Sequence, residues 1–141
     1  MISTIRKTAF FIFLFALACN PPEQVEDAFS SPKNLFVAYV SSYTSGIISS
    51  NAEIKVPLAK KAADAVPGEK VQEKVLSFEP SIAGAAYWED AFTIAFRPEG
   101  KLEAGRKYKA TLQLDKLIET PKEKREFRFV FQVMPQNYEV K

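Results

Sequence analysis

The chain has 141 residues, a formal charge of +2, 47% apolar residues, one cysteine and no histidine. Its length fits a single domain with a core of its own, and a lone cysteine rules out an internal disulfide. The missing histidine excludes a Ser-His-Asp or Cys-His apparatus, an imidazole acid–base pair and a His-ligated zinc site within the chain.

The chain begins MISTIRKTAFFIFLFALAC. Arg6 and Lys7 form a positive n-region, residues 9–18 an apolar run too short to cross a bilayer, and Ala18 a small residue directly before the only cysteine, Cys19. Residues 1–18 are therefore expected to be a cleaved export signal. Ala16-Leu17-Ala18-Cys19 resembles a bacterial lipoprotein lipobox, although the family prefers a large aliphatic residue and then a small one where Ala16 and Leu17 stand. The resemblance implies cleavage before Cys19 and lipidation of Cys19. More than one acyl chain would make the attachment stable, since a single chain binds only marginally. An ordinary signal peptide followed by a free cysteine is the plainer alternative. Loss of residues 1–18 removes Arg6 and Lys7 and no acid, so the leader carries the +2 and the mature chain is neutral. A neutral chain of mixed charge has no overall electrostatic drive toward nucleic acid or an acidic membrane.

Residues 19–34 are polar and proline-rich without a sustained period, and are expected to be a tether. Its acids Glu23, Glu26 and Asp27 resemble the short acidic signals that carry some bacterial lipoproteins to the outer face of the outer membrane; a solvated linker has the same composition.

Alternation dominates from Leu35 onward. Weak strand signals cover residues 36–42; Ile54, Val56 and Leu58 then alternate with Glu53, Lys55 and Pro57. Pro57 cannot donate to a ladder and points to an edge or a strand end. Residues 59–65 hold the only helical signal, but Pro67-Gly68 stops it within two turns, so a long loop with one helical turn is expected. Weaker strands follow over 75–78 and 85–88, and then Phe92, Ile94 and Phe96 alternate with Thr93, Ala95 and Arg97. Tyr108, Ala110, Leu112 and Leu114 oppose Lys107, Lys109, Thr111, Gln113 and Asp115; Phe127, Phe129, Phe131 and Val133 oppose Arg128, Val130 and Gln132. About seven strands at this spacing, punctuated by turn signals, predict an all-β antiparallel sandwich over 35–138.

The most specific pattern in the folded part is Pro98-x-Gly100-x-Leu102-x-x-Gly105-x-x-Tyr108-x-Ala110, between two alternating strands. It resembles the E–F connection of bacterial Ig-like domains. The resemblance implies a tyrosine corner in which the Tyr108 hydroxyl returns to the backbone of the connection, Leu102 plugs the core and Gly105 permits the turn. The antibody-type inter-sheet cysteine pair is absent. A narrower resemblance is to the module after the lipid anchor in bacterial alpha-2-macroglobulin-like lipoproteins; the chain has no Cys-x-Glu-Gln thioester motif, and the kinship would make it a detached or truncated N-terminal module.

Candidate chemistry is sparse. Glu89-Asp90 and Glu26-Asp27 lack the spacing of a calcium loop and read as solvated turns, with Glu99 a further acid beside the middle strands. Gly84, Gly100 and Gly105 are dispersed and form no phosphate cradle. Trp88 is expected between the sheets, with a solvent-facing Tyr87-Trp88 platform for a sugar or peptide as the alternative, and Tyr39 and Tyr43 are equally ambiguous. Residues 120–125, Thr-Pro-Lys-Glu-Lys-Arg, read as a charged hairpin connection. The expected product is a noncatalytic lipoprotein of the bacterial cell envelope, membrane-attached at Cys19 and placed at the outer membrane. It would bind or assemble with an envelope protein or peptide, with no cofactor, metal or nucleic acid. A truncated macroglobulin-type inhibitor module and a surface carbohydrate-binding or hydrolytic protein are the alternatives.

Overall fold

A computed structural model describes residues 28–136; residues 1–18, expected to be an export signal, and Cys19, Glu23, Glu26 and Asp27 lie outside the described residues. The element order is α1 (Lys33–Phe36), β1 (Gly46–Ile48), β2 (Ile54–Pro57), β3 (Leu76–Glu79), β4 (Gly84–Trp88), β5 (Thr93–Pro98), β6 (Lys107–Gln113) and β7 (Glu126–Val133), with 3₁₀ turns at Leu114–Lys116 and Lys122–Lys124. The strands form an all-β sandwich of two sheets, ordered β1-β7-β6-β3 and β2-β5-β4. Every strand pair is antiparallel except β1 and β7, which run parallel from Gly46↔Phe131 to Ile48↔Val133. The antiparallel core of the first sheet is β7-β6-β3, extended by β1, and it faces β2-β5-β4.

The period of two builds the core. Phe127, Phe129, Phe131 and Val133 on β7 are buried, as are Tyr108, Ala110 and Leu112 on β6 and Ile54 and Val56 on β2. The β7 phenylalanines form the spine of an aromatic ladder: Phe36 and Tyr43 lie 5.3 and 5.0 Å from Phe127, Tyr108 stacks 5.4 Å from Phe131, and Phe78 meets Phe96 at 4.7 Å. Tilted and stacked rings at these separations add to the burial of their area.

Four expectations need correction. Residues 36–42 are not a strand: α1 and a following turn occupy them, Val40 donates to the Phe36 carbonyl, and only a single bridge, Val40↔Leu58, remains. Phe36 and Val40 are both buried while Val37 is exposed, a four-residue spacing that a short window confuses with alternation. The seventh strand is instead β1, hidden in the sequence because Gly46, at φ +71°, reads as a turn. The tether expected over 19–34 is shorter at its C-terminal end. Ser31 donates to the Arg128 carbonyl and accepts from the Arg128 N–H, and Phe29 lies against Lys109 and Arg128, so the chain is fastened to the sandwich from Phe29 onward. Finally, Phe92 is exposed just ahead of β5, while Thr93 and Ala95 are buried together with Ile94 and Phe96. In the register Lys55↔Ala95↔Tyr87, long side chains from β2 and β4 flank the small central residue and cover it. Residues 59–65 form a loop, as expected, pinned by buried Ala62.

Candidate binding cleft at the β3 edge

In an antiparallel ladder, alternate residues turn both backbone groups toward the partner and the residues between turn both away. Leu58 donates to Phe92, which places Lys55 and Pro57 of β2 outward. That edge is covered: Thr44 donates to the Lys55 carbonyl, the Lys55 N–H donates to the Thr44 hydroxyl, and Ser41 donates to the Pro57 carbonyl. Pro57 has no N–H to lose there, which is why an edge strand accepts it. On β4, Glu89 donates to Thr93, so Ala86 and Trp88 turn outward. Trp88 is covered through both groups and Ala86 through its carbonyl. Trp88 donates to Glu69 at 2.9 Å and accepts from Gly68 at 2.7 Å, and Val71 donates to Ala86 at 2.9 Å.

β3 differs. Gln113 donates to the Val75 carbonyl at 2.8 Å, which fixes Val75, Ser77 and Glu79 as the residues bonded to β6 and turns Leu76 and Phe78 outward. Among the described residues no backbone or side-chain group bonds to those outward groups. They border a cleft of about 340 Å³ between the edges of the two sheets. Half-buried Val71, Phe78, Ile82 and Ala86 and buried Phe96 give the cleft its apolar lining, while Lys70, Gln72, Glu73, Lys74 and Ser81 are exposed around it. Gly84 fixes the spacing at the start of β4. A Cβ at Gly84 would stand 2.3 Å from the Arg97 carbonyl oxygen and 2.8 Å from the Phe96 ring, so only glycine lets the two strands approach.

The residues singled out in the sequence lie elsewhere. Tyr108 is 5% exposed, and its hydroxyl accepts a 3.4 Å hydrogen bond from the Glu103 N–H. Leu102 is buried beneath the connection and its N–H donates to Ser50. Gly105 turns the chain at φ +76° and donates to Val133. These three hold the end of the sandwich and build no pocket chemistry. Trp88 is buried in the core while Tyr87 lies on the opposite face beneath Arg97, at 4.7 Å, so the two rings form no common platform. Tyr43 packs on Phe127 and Phe129, and Tyr39 carries Lys60 at 5.1 Å.

The candidate acids do not converge either. Glu89 pairs with Lys55, and the Glu89 hydrogen bond and charge hold the Lys55 ammonium above its ordinary pKa. Asp90 closes a turn by accepting 2.7 Å bonds from the N–H groups of Phe92 and Thr93, and these bonds, Phe92's first, lower its carboxyl pKa. Glu99 is exposed, its N–H bonded to Ala83. Among the described residues no three His, Cys, Asp or Glu side chains stand together as a metal site, and no helix is long and apolar enough to cross a membrane. No sequence motif announced the cleft, because edge pairing is a property of backbone groups that carry no residue signature. No protein-family model and no curated protein matches the chain.

Proposed function

We propose that the protein is a noncatalytic binding module of the bacterial cell envelope, lipid-anchored through Cys19, that takes an extended peptide segment of an envelope partner onto the open edge of β3. The observation that carries the reading is the asymmetry of the edges: the chain bonds its own segments to the outward groups of β2 and to Trp88 and the Ala86 carbonyl of β4, and leaves those of β3 facing an apolar cleft. Strand addition uses such an edge twice. Main-chain bonds to Leu76 and Phe78 give affinity, and alternate side chains of the guest enter the cleft beside Ile82 and Ala86. Glu73, Lys74 and Glu79 stand exposed on or beside the strand and discourage indiscriminate edge-to-edge association.

The test is a short peptide of alternating valine and threonine, followed by amide shifts of the protein. The expected result is shifts at Leu76 and Phe78 that vanish when the peptide is N-methylated at alternate residues, because methylation removes the ladder and keeps the side chains. Equal binding of the methylated peptide, or shifts confined to β1, would contradict strand addition. The anchor is tested separately: a palmitate analogue should label the wild type and not Cys19→Ser.

A further inference from the structure

The cleft beside β3 is walled almost entirely by one stretch of chain: of its lining, only the buried Phe96 lies outside residues 70–86. From the segment that covers β4, the chain crosses to β3 through residues 72–74, and it returns to β4 through residues 80–83. Chain therefore stands at both ends of the cleft, and an extended guest touches it only through the few residues that lie along β3.

The two walls are unequal. On β4 the residues on the inner face are Gly84, Ala86 and Trp88. Trp88 fills its place in the core, but along the cleft the same face carries only a glycine and an alanine. Both adjoin Phe96: Ala86 stands opposite it in the β4–β5 register, and a Cβ on Gly84 would come 2.8 Å from its ring. From the other wall Phe78 meets the Phe96 ring at 4.7 Å. Val71, Phe78, Ile82 and Ala86 pack against the core and stay half-buried, so their apolar surface is only partly used. The space left among them is about 340 Å³. Sites for whole small molecules begin at about 300 Å³, so a space of this size suits a side chain better than a cofactor.

The segment that covers β4 shows what such an edge accepts. Val71, whose N–H donates to Ala86, turns its side chain onto the core, while Lys70, bridged to Tyr87, is exposed. Residues directly opposite each other in paired strands share a face of the sheet. A guest residue opposite Phe78 therefore directs its side chain to the side on which Phe78 meets Phe96.

We propose that the guest strand is recognised through one large apolar side chain, of phenylalanine size, on the residue opposite Phe78, where it fills the space that Gly84 and Ala86 leave beside Phe96. The inference rests on strand addition at β3 and states the chemistry of the partner: an extended segment with that large residue between two polar ones. Main-chain bonds to Leu76 and Phe78 hold any such segment, and the side chain selects among them. The rings of Phe78 and Phe96 favour an aromatic occupant in particular.

The experiment compares two forms of the alternating valine–threonine peptide, its central valine replaced by phenylalanine or by alanine, with affinities read from the amide shifts of Leu76 and Phe78. Burial of the ring should make the phenylalanine peptide bind about 10- to 100-fold more tightly. Ala86→Leu, which fills the space from the opposite wall, should remove most of that preference. The Ala86 methyl signal of the wild-type protein gives a readout that needs no variant: the phenylalanine peptide should move it by ring current and the alanine peptide should not. Shifts at Leu76 and Phe78 with equal affinity for both peptides would leave strand addition standing and overturn the side-chain proposal. A phenylalanine preference that leaves the Ala86 methyl unmoved would overturn it as well, because the ring would then lie elsewhere. No shift at either amide with any of the peptides would overturn strand addition and the proposal with it.

Discussion

The two strands that flank the cleft have similar length and comparable partners, yet they end differently. β4 presents Ala86 and Trp88 outward, and residues 68–71 bond to both. β3 presents Leu76 and Phe78 outward, and no described residue bonds to either. One lip is closed in part by the chain itself and the other is open. Segment 68–71 also shows what a guest on the opposite lip requires. Gly-Glu-Lys-Val covers β4 with three backbone bonds and little side-chain specificity, so a guest of ordinary composition satisfies the backbone demand, and selectivity must come from the lining of the cleft.

The closed lip is expected to be part of the stable core. Trp88→Ala empties a buried site between the sheets and should cost about 3–5 kcal/mol, read from the denaturant midpoint. Gly84→Ala forces a methyl group against the Arg97 carbonyl and the Phe96 ring; a cost of about 1–3 kcal/mol is expected, together with weaker peptide binding because β4 must shift at the cleft wall. A variant as stable as the wild type would show that the β4–β5 spacing yields freely.

Away from the cleft, Tyr108→Phe should cost about 0.5–1.5 kcal/mol, since the hydroxyl accepts a long bond from Glu103 in a nearly dry site. Peptide binding should not change, and a loss of binding would place the corner inside the site.

The smallest effect concerns Asp90. Its carboxyl stays ionised to lower pH in the folded chain than in the unfolded one, so it stabilises the fold above the ordinary carboxylate pKa. That contribution disappears as pH falls through the lowered value. Asp90→Asn should therefore flatten the acid limb of the melting temperature against pH. An unchanged acid limb would mean that other carboxylates set it.

How much of this was legible follows from what each feature is made of. β6 and β7 were readable because one face of each meets the core and the other meets water, and side chains record that difference. The corner was readable because Leu102, Gly105 and Tyr108 each do a job that few residue types can do. α1 was misread because it is short and its four-residue apolar spacing fits more than one period, and β1 because Gly46 at its start reads as a turn. The central strand β5 was half-misread because Ala95 is covered by neighbours far away in sequence. The cleft was illegible for a stronger reason: which backbone groups of Leu76 and Phe78 remain unpaired depends on the register of β3 against β6 and on the absence of a covering segment, and neither is written in residue identity.

Amide hydrogen exchange of the free protein tests the open edge most directly. The N–H groups of Ser77 and Glu79, which face β6, and of Trp88, which donates to Glu69, should be strongly protected, while that of half-buried Phe78 should exchange orders of magnitude faster and become protected when a strand peptide is added. Protection of Phe78 equal to that of Trp88 in the free protein would mean that the β3 edge is already covered, and would contradict the account.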